Sequence, residues 1–149
     1  MSSGVTDFGT GAWLGALFGV DPDITGYFIA LCSEEPGRDT DGTILAAIEP
    51  VDPSYVRQAY GTGGANWGLN DTYLTTLNDI DFGVPSVDWG SITHYALCTN
   101  DNSDPLDLGD VYAFGEFLNP QYVSAAVDMT IPAGGVVIAM ASLENAIAV

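Results

Sequence analysis

The chain has 149 residues, with 20 Asp and Glu against two Arg, no Lys and a single His, for a formal net charge of −18. A surface that neutralises phosphates needs clustered cations, so this balance argues against nucleic acid and anionic membranes as partners. A hydrophobic content of 47% is too high for a disordered acidic segment, and the chain is expected to fold as one domain over residues 1–149. No stretch approaches the roughly 20 apolar residues that cross a bilayer, and Met1-Ser2-Ser3-Gly4 lacks the basic start of a secretory signal.

In chain order, residues 10–19 place Trp13, Leu14, Leu17 and Phe18 at i, i+1, i+4 and i+5. That spacing predicts a short helix, capped by Thr10 and ended by Gly19. Seven short β-rich runs follow, at 26–33, 55–60, 73–82, 91–99, 111–117, 122–131 and 136–142. In the sixth, Val123, Ala125, Val127, Met129 and Ile131 alternate with polar positions, as in an antiparallel strand with one wet face. The run 136–141 is apolar on both faces, which fits either a central strand or one covered by a neighbouring subunit. The eight prolines fall between the runs or at their ends. The expectation is an all-β, antiparallel β-sandwich, jelly-roll-like or Ig-like, of about seven strands with one short N-terminal helix.

Chemistry is sparse. Cys32 and Cys98 lack C-x-x-C spacing and read as two buried thiols or as one long-range bridge. They lie in related strands, Ile29-Ala30-Leu31-Cys32 and Tyr95-Ala96-Leu97-Cys98. If those strands pair, a bridge still needs Cα atoms within about 7 Å. His94 is the only imidazole and shares an alternating face with Ile92, Ala96 and Cys98. With no G-x-S-x-G elbow nearby, it reads as a structural or interface histidine rather than a base. The run Gly61-Thr62-Gly63-Gly64-Ala65-Asn66-Trp67-Gly68 lacks the Lys-Ser/Thr of a phosphate loop and reads as a flexible or tightly turning surface loop. Asp101, Asp104, Asp107 and Asp110 recur every third residue, and Asp39-Thr40-Asp41-Gly42 begins like a calcium loop. Neither completes the twelve-residue pattern, so Ca2+ or Na+ at these loops stands beside the plainer reading of solvated turns. A glycosidase-type carboxylate pair has no sequence spacing by which to be found.

Several segments together resemble a family of small virion proteins of tailed viruses. They are the Leu/Phe-Gly helix, Tyr27-Phe28-Ile29-Ala30-Leu31-Cys32-Ser33-Glu34-Glu35-Pro36-Gly37, Tyr55-Val56-Arg57-Gln58 and Trp89-Gly90-Ser91-Ile92-Thr93-His94-Tyr95, with Ala113-Phe114-Gly115-Glu116-Phe117 and Ile131-Pro132-Ala133-Gly134-Gly135. The resemblance covers about residues 10–142, and the Asp series at 100–110 replaces the family's usual Gly-rich turn. It implies a head-decoration, head-fibre or minor tail component with no catalytic residues to carry over. Arg57, Trp67, Trp89, His94 and Tyr95 then become structural or interface positions.

The functional expectation is a non-enzymatic capsid-surface decoration or turret protein, located in the virion. The alternative is a minor tail or tail-fibre protein that contacts the host, with Trp67 and Tyr73 suited to surface recognition. Expected partners are copies of itself, as a trimer or pentamer, and other virion proteins such as the major capsid protein. An N-terminal arm (about 1–9) and a C-terminal tail (about 143–149) are expected to be ordered by those partners. The excess of Asp over Glu without Lys suits a halophilic host, where salt screens self-repulsion.

Overall fold

The computed structural model describes residues 3–20 and 24–139. The chain is mostly antiparallel β, and two layers share one main core. The first layer is a five-stranded sheet in the order β1-β8-β7-β2-β3, formed by Ser3–Val5, Val111–Val123, Gly90–Cys98, Gly26–Cys32 and Gln58–Gly61. The second layer has two small sheets. One is β10-β5-β4, from Val137–Ala139, Tyr73–Thr76 and Trp67–Asn70; the other pairs β6 (Ile80–Gly83) with β9 (Met129–Ile131).

Strand alternation divides the large sheet between two apolar clusters. Val5, Ile29, Leu31, Ile92, Tyr95, Leu97 and Ala113 pack with Ile80, Phe82, Met129, Ile131 and Val136 of the second layer. Ala30, Cys32, Ala96, Cys98, Val111 and Phe114 form the other cluster, closed by Leu45 of a short helix, α2 (Gly42–Ala46). A five-residue helix has no readable periodicity. Its signal was its cap, because Asp41, placed by sequence in a calcium-like loop, accepts from the Ile44 N–H at 2.8 Å.

The N-terminal helix, α1, spans Asp7–Leu17, three residues earlier than its apolar spacing suggested. Thr6, not Thr10, is the cap. Its hydroxyl accepts from the Gly9 N–H and also donates to carbonyls of Val111 and Tyr112, so β8 decides where the helix begins. Helix and strand approach so closely that a Cβ on Gly9 would collide with the Tyr112 carbonyl. Trp13 stacks on Tyr112 at 6.1 Å, while Leu17 and Phe18 remain exposed rather than completing a buried face.

Other boundaries shift for tertiary reasons. The described residues form ten strands, not about seven. The run 73–82 is two strands in different sheets, and another strand, Trp67–Asn70, begins at the end of the glycine-rich run. The run 122–131 is not one strand. Tyr122 and Val123 end β8, the chain turns through Ala126 at φ 65°, and Met129 enters the second layer. Its alternation came from two strands on either side of a crossing. Pro120 lies inside β8, contrary to the rule read from the other prolines. The register jumps from Ile92 opposite Gln121 to His94 opposite Glu116, so Pro120 sits where the ladder is interrupted.

The N-terminal arm, expected to be ordered by a partner, is held over residues 3–9 by this chain's own β8. Of the doubly apolar run 136–141, Val137–Ala139 is an outer strand of its small sheet and Val136 is fully buried. The expected C-terminal tail lies outside the described residues. No helix among the described residues is long and apolar enough to cross a membrane.

Candidate functional site

Arg57 is 1% exposed, and all five of its guanidinium N–H groups are used. Nε donates to both Glu49 carboxylate oxygens at 3.2 and 3.1 Å. Nη1 donates to the Asn100 and Leu108 carbonyls at 3.1 and 3.0 Å. Nη2 donates to Glu49 at 2.5 Å and to the Gly42 carbonyl at 3.3 Å. Burial alone would lower the guanidinium pKa, but the Glu49 hydrogen bonds and charge outweigh it and the net shift is upward. The Tyr55 hydroxyl donates to Glu49 at 2.6 Å and accepts from the Leu31 N–H, and Asn102 bonds both the Arg57 N–H and the Tyr55 carbonyl. Burial, then Glu49, pushes the Tyr55 pKa up.

This node fixes the loop that carries the Asp series. The loop carrying Asp101, Asp104, Asp107 and Asp110 turns its Asn100 and Leu108 carbonyls inward onto a guanidinium. Asp101 accepts from Ser103 and Asp104 from the Leu106 N–H, each closing its own turn, while Asp110 donates its N–H to the Thr99 hydroxyl. Among the described residues no three His, Cys, Asp or Glu side chains converge on a common point.

A second node is Asp52, 8% exposed. Its carboxylate accepts from the N–H groups of Ser54, Ser86 and Val87, the Ser86 hydroxyl and Trp89 Nε1, the last at 2.8 Å. Desolvation opposes ionisation here, but the hydrogen bonds outweigh it and hold the pKa far below the usual carboxylate range. Trp89 is also edge-on to Tyr55 at 5.4 Å. The Trp-Gly-x-Ile-Thr-His segment is therefore anchored in the core at its first residue.

His94 does not share a face with Ile92. The register shift between them places Ile92 in the main core, whereas Ala96 and Cys98 line the smaller cluster. His94 is 8% exposed, opposite Cys32 on one side and Glu116 on the other. Its Nδ1 lies 2.8 Å from the adjacent Thr93 hydroxyl, and its buried Nε2 has no hydrogen-bond partner among the described residues. Tyr95 ties the layers together: its hydroxyl donates to the Val137 carbonyl at 2.7 Å and accepts from the Val137 N–H at 2.9 Å.

Cys32 and Cys98 are both free and buried. Their strands do pair, but antiparallel, with Ala30 opposite Ala96. Cys98 therefore faces Phe28, four residues along β2 from Cys32. At roughly 3.3 Å per residue this is beyond bridging distance.

Trp67 is half-buried. Its Nε1 donates to the Gly61 carbonyl at 2.8 Å, and its ring meets Tyr60 and Tyr27 edge-on. It lines an open groove of about 620 Å³ with Trp13, Leu17, Tyr27, Leu69, Tyr73 and Ile138, and none of the described residues that line it is charged. The glycine-rich turn supplies part of its rim through Thr62, Gly63 and Gly64. Sequence reasoning singled out Trp67 and Tyr73 but not the companions from α1, β2 and β10, which are distant along the chain.

The buried polar groups thus hold loops to a sandwich, and the distinct open surface is apolar. These features belong to a small antiparallel β-sandwich domain. Comparison with known families matches residues 10–139 to Podophage GP4 fiber I protein gp80. The chain belongs to that family, and with it to the structural fibre proteins of tailed viruses. No curated protein matches.

Proposed function

We propose that this chain is a non-enzymatic structural component of a tail fibre, assembled in several copies and engaged in host attachment. The family match over residues 10–139 carries the reading, because its description names a fibre. It supports the tail-fibre alternative of the sequence analysis better than the capsid decoration placed first there. The fold is compatible with such service: buried ionic and hydrogen-bonded nodes fix the loops of a small sandwich from within.

Gold-labelled antibody against this chain, imaged on intact particles, tests the location. Label along fibres at the tail is expected, and label spread over the capsid shell would overturn the reading. Attachment has a separate measurement. Purified protein should compete with virions for host cells, and unchanged adsorption at saturating protein would remove that part.

A further inference from the structure

We draw no further inference here: the strongest candidate, the apolar groove lined by Trp13, Leu17, Trp67, Leu69, Tyr73 and Ile138 where α1 meets the β10-β5-β4 sheet, carries nothing because no feature of the structure shows what covers it.

Discussion

Tyr95 stands directly opposite Gly115 across the β7–β8 ladder, and a Cβ on Gly115 would collide with the Tyr95 hydroxyl and ring. The absent side chain lets the tyrosine lie across β8 and reach both backbone groups of Val137. One glycine in the large sheet thereby permits the bond that holds the second layer.

Gly115→Ala should accordingly destabilise the protein by about 1–3 kcal/mol, the range for overpacking. In a Tyr95→Phe background, where the hydroxyl is gone, the same alanine should cost less. Urea denaturation of the two single variants and the double variant measures that coupling.

Arg57→Met leaves Glu49 buried without its cation, and such a change typically costs about 3–5 kcal/mol. Arg57→Lys should recover only part of this loss, because an ammonium cannot replace five N–H groups held in a planar fork. Chemical denaturation reads the stability. Hydrogen exchange should show the loop 100–110 losing protection first, since its Asn100 and Leu108 carbonyls would lose their donors.

Asp52 gives the protein an acid-sensitive element. Its folded-state pKa lies far below that of an unfolded aspartate. The stability it contributes is therefore fully present above about pH 4 and declines as pH falls below that value. Asp52→Asn should melt lower than the wild type at pH 7, with the gap narrowing toward pH 2. Melting temperatures between those limits check both sign and window.

The two cysteines should be inert in the native protein. Burial raises both thiol pKa values, that of Cys98 to about 12, so little thiolate is present at neutral pH. A thiol reagent such as DTNB should leave the folded protein unmodified and titrate both residues in denaturant. Dithiothreitol should not shift the melting temperature.

With a charge of −18, the folded chain repels itself in dilute buffer. Melting temperature should rise with NaCl through the range where the Debye length falls from about 30 to 3 Å. A flat response would count against the expectation of a high-salt host.

Much of the architecture was legible locally. A helix within residues 10–19, strands near 26–33 and 91–99, and the sandwich class all follow from spacing between neighbours in the chain, and the structure places them at Asp7–Leu17, Gly26–Cys32 and Gly90–Cys98. Gly115 and Pro120 could be noted as motif members, but their reasons lie across the ladder, in Tyr95 and in the interrupted register. Likewise nothing in the spacing of the acidic residues at 100–110 shows that their loop turns the Asn100 and Leu108 carbonyls onto Arg57.

By itself, the sequence determined the strand-rich class, the acid excess and the shortage of cations, because composition and short-range periodicity depend on no distant residue. Only the tertiary structure decided that Arg57 is buried on Glu49, that Ile92 and His94 face opposite sides of a shifted register, and that 122–131 crosses between sheets. It also assembled an apolar groove from separated elements of the chain. The physical reason is common to all of these: a side chain's partner and its access to water are set by chain segments tens of residues away, and neither is encoded in the spacing of its neighbours.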